Sequence, residues 1–403
     1  MNSVGIDISK GRSTVAVMRP FGEVVISPFE VRHTDSELSK LARQLKSLDG
    51  ETRVVMEATG NYHAPVAKLL HDAGLYVSVV NAKLVHGYGN NELRRVKTDR
   101  KDAVKLANYG LDRWLTLPRY VPEENTRLLL KNCYRQYRQY SKVQTVLKNN
   151  LISLLDTVFP NANRLFSSPI RGDGSEKWVD FVAEFWHCRC VSEKSQKAFT
   201  NKYQRWCKKH GYNFSVAKAH TIHAEASGHI GVMPKSETTK LLVEQAVAQL
   251  RATSVALTAL KREMLTLAAQ LPEYPVVMSM YGVGERLGPQ LIAEIGDVTR
   301  FAHKGSLSAF AGVDPGANQS GNMELKSVRS SKCGSPALRK ALFNVMDCLI
   351  KKQPMDDPVY LFMDKKRAEG KPYFVYMTAG ANKFLRVYYG RVTEYLKSLD
   401  TTQ

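Results

Sequence analysis

The sequence lacks long apolar runs, has few cysteines and is short of acidic residues, and each shortage excludes a class of protein. No apolar stretch approaches the roughly 20 residues of a membrane span, and no basic segment followed by an apolar one marks a signal peptide at the N-terminus. Six scattered cysteines in 403 residues do not suit a disulfide-stabilised secreted domain. We therefore expect a cytoplasmic protein with reduced thiols.

The shortage of acids leaves a strongly basic chain. Against 58 Lys and Arg residues there are 38 Asp and Glu residues, which gives a net charge of +20. A field of this sign favours a polyanionic partner, and nucleic acid before a membrane surface. The length allows two or three domains with a sizeable core.

One group of cysteines raises the question of a zinc site. Cys188 and Cys190, followed by Cys207 and His210, supply possible ligands in the order C-x-C and C-x-x-H. The first spacing is tighter than zinc sites usually have, so buried free thiols are the favoured interpretation.

The first 118 residues alternate between strand and helix patterns. Short β-branched runs predict strands at 3–8, 13–18, 23–31, 52–57 and 75–80. Leucines at helical spacing after Thr34 and Asp35 predict a helix over 34–48, and 65–73 is also helical in pattern. Three strands followed by alternating helices and strands indicate a mixed α/β sheet.

A long helix is predicted over residues 124–158, with one basic side. A helix turns about 100° per residue, which places four basic side chains on one side of this helix. A mainly apolar row lies on the opposite side and runs from Leu129 through Tyr140 and Val143 to Val158. Either the basic side is a solvated face over a packed core, or it faces nucleic acid, which the near absence of acids here favours. The four residues are Lys131, Arg135, Arg138 and Lys142.

The segment that follows is weakly periodic, and a second long helix comes after it. Residues 160–235 carry tryptophans and clustered histidines and are interpreted as an insertion with short helices. Apolar residues repeat every seven positions from Val243 to Leu271, which predicts a helix over 237–271 with a coiled-coil or bundle seam. The seam either joins the two long helices in antiparallel fashion, with the insertion at the tip, or joins two molecules.

The C-terminal part is mainly helical. The segment "YGVGERLGPQLIAEIGD" resembles a helix-hairpin-helix, whose turn offers backbone N–H groups to phosphate, although G-x-G also suits a plain turn. A Gly- and Ser-rich stretch follows, with basic residues that include Lys326, Arg329 and Lys332. A last helix is expected over about 373–399.

Four acids are candidates for one metal site. Asp7 lies within an apolar strand, where an acid is costly unless it is paired or bound to metal. Glu57 ends another strand, and strand ends converge at one edge of an α/β sheet. Asp99 and Asp102, three residues apart, share one face of a helical turn. Together these oxygen donors suit one or two Mg²⁺ ions.

Each of these signals is weak when taken singly. A strand Asp is most often partnered by a donor, and a D-x-x-D pair most often marks a helix N-terminus. The order of the acids on this strand pattern is more specific, and it matches an RNase H-like nuclease sheet. Basic neighbours would then draw a phosphate towards the metal. They are Arg94, Arg95, Lys97, Arg100 and Lys101.

Two independent motif sets resemble those of one known family. "GIDISK", "VVMEATGNYH" and "KTDRKDA", and later "GVGERLGPQLIAEIGD", "SAFAGVDP", "QSG" and "KCGSPALRKALF", resemble the DEDD-type insertion-sequence transposases, also called bridge-RNA-guided recombinases. The resemblance covers about residues 1–160 and 240–400. It departs from the family at Ser335-Pro336, where Gly-Asn is more usual, and at the 160–235 insertion.

The resemblance implies a fold and a domain plan. The expected fold is an α/β RNase H-like, RuvC-like N-terminal domain, a long helical or coiled-coil middle with an insertion, and a mainly α C-terminal domain with a helix-hairpin-helix-like segment. The corresponding boundaries are 1–118 for the metal-binding domain, 119–272 for the helical region, and 273–403 for the transposase domain.

The resemblance also implies a chemistry. Asp7, Glu57, Asp99 and Asp102 would hold Mg²⁺, and Ser320 in "QSG" would be the nucleophile that forms a covalent link to DNA. Without the resemblance, Ser327, Ser330, Ser331 and Ser335 would be equal candidates. The implied partners are donor and target DNA, a structured guide RNA encoded by the element, and further copies of the chain in a dimer or tetramer. No membrane partner is expected, and the cytoplasm would be prokaryotic.

Two other functions compete with this interpretation. A structure-selective nuclease of the RuvC type would use the four acids and water, and would not need Ser320. A non-enzymatic scaffold that binds RNA or DNA would need none of the five residues for a strand break.

Overall fold

The computed structural model describes residues 1–58, 60–88, 98–314, 319–320, 323–324 and 330–401. The chain forms two compact units, Met1–Glu123 and Glu124–Gln403. The three-domain boundaries above stay a prediction. Within the described residues, no helix is both long and apolar enough to cross a membrane.

The first unit is built from strands and helices that alternate along the chain. Their bounds are β1 Asn2–Ile8, β2 Arg12–Met18, β3 Val24–Arg32, α1 Asp35–Lys46, β4 Thr52–Glu57, α2 His63–Asp72, β5 Tyr76–Val80, α3 Ala82–Gly87 and α4 Asp99–Asp112. Thr34 caps α1 by accepting from the Glu37 backbone N–H, as the cap-type residues of the sequence predict.

The five strands form one mixed sheet in the order β3-β2-β1-β4-β5. β2 is antiparallel to both β1 and β3. β4 is parallel to β1, and β5 is parallel to β4. This order and these directions are those of the RNase H-like sheet that was expected.

The two faces of the sheet bury different sets of side chains, because side chains alternate along a strand. Val4, Ile6 and Met56 are fully buried in a core that includes residues of α1 and α2. Val55 belongs instead to a second core with Leu106 of α4. The sheet is therefore covered by helices on both sides, and α4 lies on the side that Gly5 and Asp7 face.

The second unit is almost entirely helical in its described part. Its bounds are α5 Asn125–Val158, α6 Lys177–Glu184, α7 Arg189–Ser192, α8 Gln196–His210, α9 Val216–Gly228, α10 Glu237–Ala269, α11 Tyr274–Met278, α12 Leu287–Ile295, α13 Lys304–Ala311, β6 Gln319–Ser320, β7 Met323–Glu324, α14 Pro336–Lys352, α15 Pro358–Ala368 and α16 Tyr373–Thr401.

The two long helices α5 and α10 pack side by side and antiparallel. Leu130 near the start of α5 shares a core with Leu267 near the end of α10. Leu155 near the end of α5 shares another core with Val243 near the start of α10. Between these two cores, the Gln144 side chain donates a 2.9 Å hydrogen bond to Ser254 Oγ.

The insertion closes the far end of this helical pair with its own aromatic core. Phe181, Phe185, Phe199, Tyr203 and Trp206 are buried there. Cys188 and Cys207 are buried in the same core as free thiols. No cluster of three metal-ligating side chains occurs among the described residues, which include every member of the possible zinc set.

The apolar row expected on α5 is buried in the second half of the helix, at Leu151 and Val158, but is wrong for the first half. Leu129 and Val143, which fall opposite the basic arc, are 55% and 46% exposed. Arg127 is buried instead, and its Nη2 donates a 2.9 Å hydrogen bond to Glu273 Oε2. An Arg–carboxylate pair with two parallel hydrogen bonds is stable enough in a desolvated place to join a packed face. The buried face in the first half of α5 therefore runs through Arg127, Leu130 and Tyr134.

Candidate active site

Four carboxylates line one cavity in the first unit. Asp7, Glu57, Asp99 and Asp102 border a space of about 580 Å³. They come from β1, the end of β4 and the first turn of α4. The structure thus brings together all four acids that the sequence singled out, although up to 95 positions separate them along the chain.

Strand register places the first two acids side by side. Ile6 of β1 is the partner of Met56 in the parallel ladder with β4. Asp7 and Glu57 are the next residues along these two neighbouring strands. Parallel neighbours in register point to the same face, so both carboxylates lie on the side that α4 covers.

A glycine lets α4 come close enough to complete the group. A Cβ atom on Gly5 would lie 1.9 Å from the backbone oxygen of Ala103 and 2.4 Å from the backbone nitrogen of Ala107. The β1 backbone therefore touches the α4 backbone at a point where any side chain would separate them. Gly5 is two residues from Asp7, and Ala103 follows Asp102, so this crossing sets the distance between strand and helix acids.

The start of α4 holds the other two acids. Thr98 is the N-cap, and its side chain accepts a hydrogen bond from the Lys101 backbone N–H. Asp99 and Asp102 lie in the first turn, where the partial positive charge of the helix N-terminus favours carboxylates. The D-x-x-D pair was interpreted either as a helix N-terminus or as part of a metal site. The two interpretations are compatible, because the start of α4 also borders the cavity.

Two further side chains in the cavity wall escaped the sequence reasoning. Lys105, half-buried on α4, and His86, exposed on α3, both border the space. Lys105 is three residues from Asp102, so helical spacing was an available signal. A cation among four carboxylates lowers their mutual repulsion and offers a contact for a phosphate oxygen.

The donor set fits Mg²⁺. All four side chains offer hard carboxylate oxygens, and Mg²⁺ keeps several of its waters while binding one or two carboxylates directly. Within the described residues, no three acidic, histidine or cysteine side chains stand at the spacing of a closed metal cage.

Ser320 lies in a short hairpin of the second unit. Its backbone pairs with Met323 where β6 runs antiparallel to β7. Five of the basic residues singled out in the sequence lie outside the described residues. They are Arg94, Arg95, Lys97, Lys326 and Arg329.

The segment that carries Ser320 leaves and re-enters the fold through a tight crossing. A Cβ on Gly334 would lie 2.2 Å from the Phe310 backbone oxygen and 2.5 Å from the Gly312 backbone nitrogen. Gly312 itself has a positive φ of 65°. The Arg339 guanidinium donates to the backbone oxygens of Ala311 at 2.9 Å and of Gly334 at 3.1 Å. We call this crossing the stem, defined by Gly312, Gly334 and Arg339.

Two of the four rival serines have structural roles. The Ser331 hydroxyl donates to Asp314 Oδ1 at 2.9 Å, which joins the two ends of the segment next to the stem. Ser335 caps α14 by accepting from the Leu338 backbone N–H, and its hydroxyl donates to Glu294 Oε2 at 2.7 Å. Pro336 occupies the first turn of α14, so Ser335-Pro336 forms a regular helix start. Ser327 lies outside the described residues.

The remaining basic residues singled out in the sequence are at the surface. Arg100 and Lys101 are exposed on the first turn of α4. On α5, Arg135 and Lys142 are exposed, whereas Lys131 and Arg138 are half-buried. Arg138 lies over the Tyr134 ring, at 5.9 Å from its centroid. Lys332 is exposed beside the stem.

Two family models match the two ends of the chain. A transposase model for the DEDD domain of IS110 elements matches residues 4–160. A second model, described as the transposase IS116/IS110/IS902 family, matches residues 274–360.

Individual proteins also align with parts of the chain. The chain is 21% identical to the "Insertion element IS110 uncharacterized 43.6 kDa protein" of Streptomyces coelicolor, over 92% of this chain and 88% of that protein. It is 25% identical to the pilin gene-inverting protein of Moraxella bovis, over 36% of this chain and 43% of that protein. Thermus thermophilus RuvC in complex with a Holliday junction aligns with 30% of this chain and 99% of its own, at 14% identity and a TM-score of 0.23.

The matched domains and the relatives define the class of the protein, which is an enzyme that acts on DNA as a transposase or recombinase. The first matched region is similar to the DEDD transposase domain of IS110 elements, and the second is similar to the transposase domain of the IS116/IS110/IS902 family.

Proposed function

We propose that this transposase cuts and rejoins DNA strands at the four-carboxylate cavity, with Mg²⁺ as the cofactor. The observation that carries the proposal is that Asp7, Glu57, Asp99 and Asp102 border one cavity on the covered face of an RNase H-like sheet. Four carboxylates in one space repel each other, and a bound divalent cation would lower this repulsion further than Lys105 alone. A bound Mg²⁺ would polarise the scissile phosphate and neutralise charge that develops in the transition state.

The chain's own residues divide the remaining work. Asp7 and Glu57 are held by strand register, so they provide the fixed part of the site. Asp99 and Asp102 are held on α4 through the Gly5 crossing. Arg100 and Lys101, exposed in the same turn, attract the phosphate backbone and keep it at the cavity mouth.

We further propose that Ser320 is the attacking group. Its Oγ forms a bond to phosphorus as it loses its proton, one phosphorus–oxygen bond to the neighbouring sugar breaks, and the departing sugar oxygen takes up a proton. A sugar hydroxyl of a second strand then attacks the phosphoserine linkage, which frees Ser320 and restores a phosphodiester. The number of phosphate ester bonds is unchanged, so no energy-rich cofactor is needed.

The strong positive charge favours nucleic acid as the partner, and the resemblance to the DEDD-type insertion-sequence transposases implies that a guide RNA is one of the partners. Donor and target DNA are the substrates, and a structured RNA encoded by the element selects them by base pairing. The basic arc of α5, from Lys131 to Lys142, is available at the surface for this RNA or for DNA. A dimer or tetramer would bring together the strands that are exchanged.

Attack by water is the second candidate function. The cavity of about 580 Å³ has room for waters beside a bound ion, and all four acids lie in the first unit. In that reaction the four acids suffice for hydrolysis, and Ser320 has no chemical role.

A nicked suicide DNA substrate, incubated with Mg²⁺ and the RNA that copurifies with the protein, distinguishes the two functions. We expect a covalent protein–DNA species that disappears in Ser320→Ala and persists in the control Ser227→Ala, at an exposed serine of α9. Asp7→Asn should abolish both the covalent species and strand cleavage, by at least about 10³-fold, because the metal contributes several kcal/mol to the transition state. Asp49→Asn, at an exposed acid of the same unit, should leave both unchanged.

Continued cleavage and recombination by Ser320→Ala would overturn the serine step and favour water. Continued cleavage by Asp7→Asn would overturn the assignment of the acid site.

A further inference from the structure

A second cavity lies in the other unit, next to the segment that carries Ser320. It measures about 930 Å³ and is formed by α14, α15 and α16 together with both ends of that segment. Val313 borders it where the segment begins, and Ser330 and Lys332 border it where the segment ends. It is separate from the acid cavity, since all of its lining residues belong to the second unit.

The lining combines aromatic rings with unbalanced positive charge. Phe343 of α14, Phe362 of α15 and Phe374 of α16 supply the rings. The charge comes from Lys332, Arg339, Lys340, Lys383 and Arg386, and no acidic side chain is among the lining residues that the structure describes. Lys340, Lys383 and Arg386 make no ion pair with any described residue. Such uncompensated cations attract an anion and not a neutral ligand.

The side-chain amide of Asn382 also lines the cavity. Asn382 Oδ1 accepts hydrogen bonds from Ser308 Oγ and from Arg386 Nε, each of 3.1 Å. These two bonds fix the orientation of the amide, whose nitrogen has no partner among the described residues. The Asn382 amide N–H₂ group is therefore available to a hydrogen-bond acceptor on a ligand.

We propose that this cavity binds one unpaired nucleotide of the DNA strand on which Ser320 acts. Rings that stack on bases, beside cations that follow the backbone, are the combination that single-stranded nucleic acid requires. A paired base exposes only its edges in a groove, so a ring-lined cavity selects a base that has left the duplex. Both ends of the segment that carries Ser320 border the cavity. The assignment to DNA therefore rests on the proposed function, in which Ser320 attacks a DNA strand.

The most accessible contact is Phe374, which is 72% exposed at the start of α16. Its truncation removes a stacking surface without opening a packed core, so Phe374→Ala should fold normally. Phe21→Ala, at a fully exposed ring of the first unit, is the matched control. Lys383→Ala removes one cation of the cavity wall, and Lys397→Ala, near the other end of the same helix, is its control.

The test measures the affinity of the full-length protein for a labelled oligothymidylate in EDTA, so that neither Mg²⁺ nor strand cleavage contributes. We expect Phe374→Ala to weaken binding about tenfold, and Phe21→Ala to have no effect. Lys383→Ala should lower the slope of log affinity against log salt concentration by about 0.7, as the loss of one contact to a single-stranded phosphate predicts. A duplex of the same length should be bound equally well by Phe374→Ala and the unmodified protein.

Three results would overturn the proposal. Equal affinities of Phe374→Ala and Phe21→Ala for oligothymidylate would remove the stacking contact. An equal loss of duplex binding would make the surface a general backbone contact. Tighter, Phe374-dependent binding of oligouridylate than of oligothymidylate would assign the cavity to RNA. None of these results concerns the covalent species of the suicide substrate, so the proposed function stands or falls separately.

Discussion

The acid cavity of the first unit and the basic cavity of the second unit each lie beside a glycine that lets two backbone segments come into contact. The charges gathered at the two cavities are of opposite sign. At the acid cavity, Gly5 lets a strand touch a helix. At the stem beside the basic cavity, Gly334 lets two loop backbones touch. The first contact gathers carboxylates for a cation, and the second fixes the ends of a segment beside cations that suit a phosphate. In both places the chemistry depends on a glycine that has no functional group of its own.

The strongest test of this comparison is Gly5→Ala. The added methyl group would lie 1.9 Å from the Ala103 oxygen, and a backbone atom cannot move away without shifting α4. We expect at least about a hundredfold loss of DNA cleavage, and a loss of about 3 kcal/mol in the free energy of unfolding, as for overpacking in a core. Urea unfolding and the suicide-substrate assay measure the two effects.

Gly390→Ala is the control for this variant. Gly390 lies in α16, and no atom lies within 4 Å of the position that its Cβ would take. The same methyl group should be neutral or slightly stabilising there. If Gly5→Ala cleaves DNA at the normal rate, the crossing does not set the distance between the acids.

A smaller effect is expected from Gly334→Ala at the stem. Gly334 and Arg339 of the stem are half-buried, whereas Gly5 is buried, so the stem can relax more than the crossing of β1 and α4, and we expect a loss of about 1–2 kcal/mol in stability. The covalent species should fall about tenfold, because misplacing a nucleophile by about 1 Å already costs up to 10²-fold. The rate of proteolysis within residues 313–333 should rise.

Binding of Mg²⁺ distinguishes the two glycine variants. Calorimetry should show an unchanged Mg²⁺ affinity in Gly334→Ala and a weaker Mg²⁺ affinity in Gly5→Ala. A Gly334→Ala protein that forms the covalent species normally would show that the stem does not position Ser320. Gly228→Ala, with no neighbour within 4 Å of the added atom, is the control in the same unit.

The smallest expected effect on stability comes from a contact beside α3, the helix that forms one wall of the acid cavity. Tyr88, just after α3, donates a hydrogen bond to the Asp112 carboxylate at the end of α4. Burial and this hydrogen bond raise the pKa of Tyr88 from 10.0 to about 12. Because the pKa of Tyr88 is raised in the folded state, its protonated hydroxyl stabilises the fold fully below about pH 10. This stabilisation is lost as the pH rises towards 12.

The stability difference between the unmodified protein and Tyr88→Phe should therefore be constant below about pH 10 and shrink above it. We expect less than about 1 kcal/mol, because the side chain is partly exposed and solvent screens the interaction. Urea unfolding across this pH range measures the difference, with Tyr62→Phe as the control at an exposed tyrosine. A difference that grows with pH would contradict the assigned direction.

The acid site was predictable because its parts follow local rules. Asp7 and Glu57 occupy the same register on adjacent parallel strands, which the strand pattern alone suggests. Asp99 and Asp102 are a helix start that sequence spacing reveals. Gly5 was not predictable, because a glycine in a strand is equally compatible with a bulge or a close approach.

The basic cavity was not predictable from the sequence. Phe343, Phe362 and Phe374 lie on three different helices, and each looks like an ordinary apolar residue of an amphipathic helix. The expected core face of α5 failed for a related reason. Arg127 becomes part of the packed face through its bidentate pair with Glu273, 146 positions away, and helical periodicity carries no information about such a partner.

The paired helices α5 and α10 constrain how the chain can change in length. α5 has 34 residues and therefore spans about 51 Å, with one core at each end. Leucines and valines meet across the seam in a fixed antiparallel register, so seven residues added to one helix require seven added to the other. Each such pair of insertions would move the aromatic tip about 10.5 Å further from the stem without altering either cavity. Natural variants of this protein should therefore gain or lose length in α5 and α10 together, whereas the tip can change on its own.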